Sequence, residues 1–197
     1  MDTNVLIDYC WSVLLSEKER KTNSVTLINK GSMGEFEIFI SFYTIMELHE
    51  HMSDFFLQQN IMKSGFSYRE FSKNKKDFVL DEHQLTLVSE LVENFRDNQY
   101  LNYIVPEIMT DRFFNEVMKY VRGYIEFVDA LHLRTAIDTS CEYFVTKDGP
   151  LRKRAQKLKS DKKIIENIKI TSVTGFLDTL RNHMKKEEQK TTQTTES

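Results

Sequence analysis

The sequence predicts an α/β domain in which a parallel sheet is flanked by helices on both faces. Short β-rich segments alternate along the chain with longer segments whose apolar residues recur at helical spacing, and this alternation is typical of parallel sheets covered by helices. Only 6 glycines and 2 prolines occur in 197 residues, which favours long helices over a turn-rich all-β fold. This length suits one sizeable core, so residues 1–184 are predicted to form a single domain.

Three short strands and six helices are predicted in order. Residues 37–41 read as a strand, and a helical pattern follows over 44–52. In residues 81–103, Leu85, Val88 and Phe95 fall on one apolar stripe, which predicts a helix. The remaining predicted elements are helices over 107–121, 127–139, 151–159 and 174–184, and strands over 143–146 and 168–170.

Residues 53–80 are the least readable part of the sequence, and residues 185–197 are of low complexity. Residues 53–125 make an enlarged, mainly helical middle, in which 63–76 mixes aromatic with basic residues. That stretch is interpreted either as a loop that contacts nucleic acid or, in preference, as a solvated helix with core aromatics. Residues 185–197 contain no apolar side chain, so they are predicted to form a disordered polar tail.

Composition and charge limit which classes of protein function are compatible with this sequence. The formal net charge of -3 gives no general attraction to a polyanion, so nucleic-acid binding would need a local basic patch or a bound metal ion. Cys10 and Cys141 stand far apart and outside any metal or redox spacing, which is typical of reduced thiols. No apolar run approaches the roughly 20 residues of a membrane span, and no signal peptide is evident. We expect a cytoplasmic protein without membrane contact.

Four acidic residues follow predicted strands or begin helices. Asp2 opens a polar cluster before an apolar helix, Glu47 follows the first strand, Asp129 begins a helix, and Asp148 directly follows the strand over 143–146. Ligands of parallel sheets gather at the carboxyl ends of the strands. Carboxylates are the ligands that Mg²⁺ and Mn²⁺ prefer, so these four residues are candidates for a metal site. Each also has a structural interpretation as a helix cap, a complement to a helix dipole or a turn residue.

The local sequences around these acids resemble the motifs of PIN domains, the fold of VapC-type toxins and related nucleases. Residues 2–8 (DTNVLID), 42–48 (FYTIMEL), 129–136 (DALHLRTA) and 144–148 (FVTKD) are similar to the four family motifs, in family order. Residues 168–177 (IKITSVTGFL) resemble the closing strand and helix of the fold. The resemblance spans residues 2 to about 181, and residues 129–136 are its most specific part.

The resemblance implies a PIN-like three-layer fold with an acidic pocket at one edge of its parallel sheet. It makes Asp2, Glu47, Asp129 and Asp148 ligands of Mg²⁺ or Mn²⁺, directly or through water. Asn4 and Thr146 match positions that orient those carboxylates. The implied activity is hydrolysis of RNA phosphodiesters by a metal-activated water, leaving a 5′-phosphate and a 3′-hydroxyl. A homodimer is common in the family, and its toxin members act beside an antitoxin protein.

Two features depart from the family pattern. The family places an apolar strand ahead of the first Asp, whereas this sequence reads Met1-Asp2. Either the true start lies upstream, or this version of the chain lacks that strand. The middle region over 53–125 is also longer than in the compact toxins, so a different subfamily is expected.

Other residues near the motifs have competing interpretations. A basic cluster follows Asp148 and is interpreted either as a phosphate-binding patch or as a solvated helix face; its members are Lys147, Arg152, Lys153 and Arg154. His49 and His51 stand two apart and cannot readily chelate one ion, so they are interpreted as structural. His132 follows Asp129 by three residues and could approach the site, but it is interpreted in preference as a packed or capping histidine.

Two other functions remain open. One is a non-catalytic PIN-like module that holds RNA or protein, and metal-stimulated cleavage would distinguish it from a nuclease. The other is an α/β phosphatase with an Asp nucleophile. The run Asp2-Thr3-Asn4 lacks the second Asp that such phosphatases place two residues on, so this interpretation ranks last.

Overall fold

A computed structural model describes residues 1–13, 21–67, 69–70, 73, 75–77, 79–104, 110–162, 165 and 168–195. The described elements are α1 (Thr3–Val13), α2 (Asn23–Ser32), β1 (Ile38–Ser41), α3 (Phe42–Lys63), a 3₁₀ turn (Lys75–Asp77), α4 (Glu82–Arg96), β2 (Leu101–Ile104), α5 (Asp111–Arg122), α6 (Phe127–Asp138), β3 (Tyr143–Val145), α7 (Gly149–Lys162), β4 (Lys169–Thr171) and α8 (Val173–Thr195). Within the described residues the fold is mixed α/β and mostly helical, which confirms the predicted class.

The strands form two separate parallel pairs. β1 pairs with β2 so that Ile38 lies opposite Leu101, and β3 pairs with β4 so that Phe144 lies opposite Ile170. No ladder joins the two pairs among the described residues. A single parallel sheet flanked by helices was predicted, and the described part of the chain has instead two short two-stranded sheets.

The helix predicted over 81–103 ends early. Asp81 accepts a hydrogen bond from the Gln84 N–H at the start of α4, and the helix stops at Arg96. Residues from Leu101 to Ile104 instead form β2, because their backbone pairs with β1. A short apolar run looks alike in a helix and in a buried strand, so the sequence alone did not distinguish them.

Most of the other predicted elements occur at the predicted positions, although some of their ends differ. The helix predicted over 44–52 extends from Phe42 to Lys63, where Ser41 and Thr44 form a capping box at its start. The strand at 37–41 and the helix at 127–139 are confirmed within one residue at each end. α8 runs to Thr195, so residues 185–195 are helical where a disordered tail was predicted. Tyr68 and Phe71 of the basic aromatic segment, and residues 107–109 of the next predicted helix, lie outside the described residues.

The buried side chains form three clusters around the strands. One surrounds Phe144 and Tyr120 and joins β3 and β4 to α5, α6 and α7. A second surrounds Leu48 and joins β1 to α1, α3 and α4, and a third around Leu27 links α1, α2, β3 and α8. These clusters hold α1, α3, α6 and the end of β3 around one point. No helix within the described ranges is long and apolar enough to cross a membrane.

Candidate metal centre

The start of α1, the first turns of α3 and the first turns of α6 bring three side chains together. Asp2, Glu47 and His132 each offer one ligand atom, and these atoms lie within 4.8 Å of one another. The residues come from positions up to 130 apart in sequence, so only the tertiary fold assembles them. Asp2 and His132 are buried, and Glu47 is half-buried.

Asp2 is held by donors on both carboxylate oxygens. Its Oδ1 accepts from the Thr3 backbone N–H at 2.8 Å, and its Oδ2 accepts from Asn4 Nδ2 at 2.8 Å and from Thr146 Oγ1 at 2.5 Å. The Asp2 N–H in turn donates to the Val145 carbonyl at 3.0 Å, which ties the residue to the end of β3. Burial raises the pKa of Asp2, while the charge of His132 and the Thr146 hydrogen bond oppose that rise.

Glu47 is bound by His132 and Thr3. Its Oε2 lies 2.6 Å from His132 Nε2 and accepts from Thr3 Oγ1 at 2.5 Å. Burial tends to raise the pKa of Glu47, but these two hydrogen bonds and the charge of His132 lower it overall. His132 Nδ1 lies 3.2 Å from Ser41 Oγ, so the imidazole bridges the end of β1 to Glu47.

Asp129 stands one turn before His132 on α6. Burial, together with the charges of Asp2 and Asp148, raises its pKa from 3.8 to about 7. No described residue donates a hydrogen bond to its carboxylate. Asp2 and Asp148 therefore each lie near enough to Asp129 to influence its ionisation. Asp129 and Asp148 are nevertheless not members of the three-residue set with ligand atoms within 4.8 Å.

Asp148 and its neighbours build the turn between β3 and α7. Asp148 Oδ1 accepts from the Leu151 N–H at 2.9 Å, which caps α7, and the Asp148 N–H donates to Thr146 Oγ1 at 2.9 Å. Asn4 Oδ1 accepts from the Lys147 N–H at 2.9 Å. Asn4 and Thr146 therefore connect Asp2 to the turn that carries Asp148. Through this turn, residues near position 2 and residues that follow β3 contribute to one site.

Two of the four predicted RNA-binding cations have intramolecular partners. Lys147 Nζ lies 2.6 Å from Asp8 Oδ1, and Arg152 donates to the Thr146 carbonyl at 2.9 Å. Lys153 and Arg154 are exposed on α7, and no described residue forms an ion pair with either. The basic segment thus divides into two residues that brace the β3–α7 turn and two that face solvent.

The donor set fits a hard divalent cation. Carboxylate oxygens predominate, and neither Glu47 Oε1 nor the Asp129 carboxylate has a hydrogen-bond donor among the described residues. Clustered carboxylates without a counter-charge raise one another's pKa, as they do for Asp129. A cation held by Asp2 and Glu47, whose ligand atoms lie within 4.8 Å of each other, would offset that repulsion. When bound, Mg²⁺ or Mn²⁺ supplies charge neutralisation at a phosphate and lowers the pKa of a coordinated water.

His132 was predicted to be a packed or capping histidine, with approach to the acidic site as the alternative. It is packed and buried, as predicted, yet its Nε2 contacts Glu47 inside the acidic cluster. The available signal was its spacing, because positions i and i+3 of a helix share a face and His132 follows Asp129 by three residues. Sequence spacing alone did not reveal that Glu47 and Ser41 meet the imidazole.

In comparisons with known proteins, the chain matches no protein-family model, no curated protein and no solved structure. The resemblance to PIN domains therefore rests on the four motifs and their order.

Without a divalent cation, the free energy of unfolding is expected to fall as the pH rises from about 4 to about 8, through the contribution of Asp129. The folded-state pKa of Asp129, about 7, lies above the value of 3.8 expected when unfolded. Its stabilising contribution is thus complete below pH 3.8 and is lost as the pH rises through 7. Asp129→Asn cannot ionise, so at about pH 8 the variant should be more stable by about 1–2 kcal/mol, allowing for solvent screening. Urea unfolding in EDTA measures the difference, and a difference independent of pH would contradict the assignment.

Proposed function

We propose that this protein is a metal-dependent endoribonuclease of the PIN type, hydrolysing RNA phosphodiesters with Mg²⁺ or Mn²⁺. The observation that carries the proposal is the convergence of Asp2 and Glu47, with Asp129 and Asp148 in electrostatic reach, from four separate motifs. Structural caps and turns would each explain one acid, but they do not explain why Asp2 and Glu47 meet and why Asp2 and Asp148 both act on the ionisation of Asp129.

Each acidic residue has a distinct part in this proposal. Asp2 is fixed by Thr3, Asn4 and Thr146, so it provides the rigid ligand of the site. The Asp129 carboxylate accepts no hydrogen bond from a described residue. Of the four carboxylates, it is therefore the one whose charged form a bound cation would stabilise most. Asp148 caps α7 through one oxygen, which leaves its other oxygen to act through water.

Lys153 and Arg154 are the proposed contacts to the RNA backbone. Both are exposed on the helix that Asp148 caps, and their charge is not neutralised by a described ion-pair partner. Because the whole chain carries a net charge of -3, a local patch is needed to bring phosphates to the acidic site. Lys147 and Arg152 support this patch by holding the turn.

Cleavage of a mixed RNA pool is expected to require Mn²⁺ or Mg²⁺ and to stop in EDTA. The products should carry 5′-phosphates and 3′-hydroxyls, because the proposed step is attack by water on phosphorus with the 3′-oxygen as the leaving group. Gel analysis of end-labelled RNA, with ligation to test for the 5′-phosphate, measures both. Cleavage that persists in EDTA, or products with a 2′,3′-cyclic phosphate, would contradict the proposal.

Arg154→Glu is expected to weaken RNA binding and to flatten its dependence on salt. Loss of one phosphate contact should reduce the slope of log K against log salt by about 0.7–1. The matched control is Arg181→Glu on α8, whose guanidinium pairs with Asp178 at 3.2 Å. Filter binding at several salt concentrations gives the slopes. Equal slopes for the wild-type protein and Arg154→Glu would exclude this patch.

A second candidate is a non-catalytic PIN-like module that binds RNA or protein. It is favoured by one observation: both Asp2 oxygens and Glu47 Oε2 already accept hydrogen bonds from protein groups. RNA binding without cleavage at any divalent-metal concentration would support it. In either case an antitoxin protein and a homodimer are proposed partners, for which light scattering and the neighbouring genes are the first tests.

A further inference from the structure

The turn between α5 and α6 carries an exposed tyrosine in an unfavourable backbone conformation. Tyr124 is 81% exposed, and its side chain makes no hydrogen bond or ring contact with a described residue. Its φ is +67°, which lies in the left-handed region that bulky side chains rarely adopt. Tyr124 therefore costs the fold some stability at the backbone and returns little through burial of its ring.

This turn is a Schellman motif, a helix end closed by two reversed backbone hydrogen bonds. The Tyr124 N–H donates to the Val121 carbonyl at 2.9 Å, and the Ile125 N–H donates to the Tyr120 carbonyl at 3.2 Å. Ile125 and Tyr120 are buried in the same cluster, and this apolar contact fixes the turn. The motif needs a left-handed residue at position 124, where glycine is the usual choice.

Elsewhere in the described part of the chain, the left-handed positions hold small residues. They are Gly34, Gly65 and Ser140. Ser140 has the same place at the end of α6, where its N–H donates to the Ile137 carbonyl at 3.0 Å. The large aromatic side chain at the end of α5 is thus the exception. Because the turn itself does not require the ring, we looked for a function of the ring at the surface.

Tyr124 lies at the end of a basic path that begins at the acidic site. α7 starts beside Asp148 and exposes a run of cations. These are Lys153, Arg154 and Lys157. Leu158 follows Asp148 by ten residues, about 15 Å along the helix, and it packs so closely on Gly123 that a Cβ there would stand 2.5 Å from Leu158 Cδ2. The ring after Gly123 is therefore separated from the acidic residues by the exposed cations.

We propose that Tyr124 stacks on a base of single-stranded RNA whose backbone lies along α7, with the cleaved phosphate at the acidic residues. The inference rests on the proposed ribonuclease function. Lys153 and Arg154 contact phosphates between these two points, and Tyr124 holds a base a few nucleotides from the cleaved bond. Stacking on an aromatic ring tolerates any base, so Tyr124 selects unpaired RNA and not a particular sequence.

The test is the fluorescence anisotropy of a labelled, unstructured RNA of about 12 nucleotides in EDTA, with a gel to show that the RNA stays intact. Tyr124→Gly is expected to weaken binding by about fivefold or more, the order of effect of one base stack. The same variant should raise the melting temperature by about 2–4 °C, because glycine relieves the left-handed strain. Tyr124→Phe should bind within about twofold of the wild-type protein, whereas Tyr124→Leu should bind as weakly as Tyr124→Gly.

Ser140→Gly is the matched control. It relieves the same backbone conformation at the end of α6, so it should also raise the melting temperature, but it should leave RNA affinity unchanged. Inorganic polyphosphate and an RNA duplex serve as polyanions without an unpaired base. Tyr124→Gly should bind both of them with the wild-type affinity, because its loss is confined to stacking.

Three outcomes would overturn the inference. The first is equal RNA affinity of the wild-type protein and Tyr124→Gly. The second is equal weakening for RNA and polyphosphate, which would show that the substitution disturbs the basic path. The third is reduced self-association of Tyr124→Gly in light scattering with RNA binding unchanged, which would assign the ring to a protein interface. Metal-dependent cleavage by the wild-type protein can accompany any of these results, whereas a wild-type protein that neither binds nor cleaves RNA would remove the proposed function as well.

Discussion

Asp129→Asn is expected to reduce metal-dependent RNA cleavage by at least about 100-fold, the order of effect seen when a principal electrostatic group is removed from an active site. Asp129 carries a carboxylate without a described donor, beside Asp2 and Asp148, and its pKa is raised to about 7. An amide of the same shape provides one neutral oxygen, so it cannot balance the charge of a divalent cation. Cleavage rates at saturating Mn²⁺ measure the loss.

The control for this experiment is Asp178→Asn, which removes an exposed carboxylate on α8. It should cleave RNA at the wild-type rate. Because Asp129→Asn is expected to be more stable than the wild-type protein at about pH 8, unfolding would not explain its inactivity. A second readout is the thermal shift caused by Mn²⁺, which should be present in the wild-type protein and small in Asp129→Asn. Wild-type cleavage by Asp129→Asn would place the active site elsewhere.

His132→Ala is expected to lower the free energy of unfolding by about 2–4 kcal/mol and the melting temperature by about 4–12 °C. His132 is 3% exposed, and its imidazole contacts Glu47 and Ser41. Removing the imidazole leaves a cavity and deprives Glu47 and Ser41 of one hydrogen-bond partner each. The matched control is His49→Ala, an exposed histidine on the helix that carries Glu47, which should change stability by less than about 0.5 kcal/mol.

The effect of His132→Ala should also depend on pH. His132 and Thr3 lower the pKa of Glu47 below its usual value of 4.5 against the opposing effect of burial. A carboxylate with a depressed folded-state pKa stabilises the protein above its unfolded pKa and loses that contribution as the pH falls through the folded value. The difference between the wild-type protein and the variant should therefore be largest above about pH 4.5 and should shrink in acid. A difference that grows in acid would contradict the pairing of His132 with Glu47.

The sequence by itself determined the local features of this protein. Helical periodicity located all of α6 and the N-terminal parts of α3 and α8, and short β-rich runs located β1, β3 and β4. These signals are local, because the residues that form one turn or one strand are adjacent in the chain. The positions of Asp2, Glu47, Asp129 and Asp148 after strands or at helix starts were also readable without a structure.

Only the tertiary structure decided how these elements meet. Leu101–Ile104 became β2 because β1 offers it a parallel partner more than 60 residues away, and no local pattern encodes that pairing. The packing of α6 against α3 and β1 brings the His132 imidazole into contact with Glu47 and Ser41. The β3–α7 turn places Lys147 beside Asp8 and lets Arg152 donate to the Thr146 carbonyl. Lys153 and Arg154 have no ion-pair partner among the described residues. The physical reason is the same in each case: burial and hydrogen bonding depend on residues distant in sequence, which local periodicity does not specify.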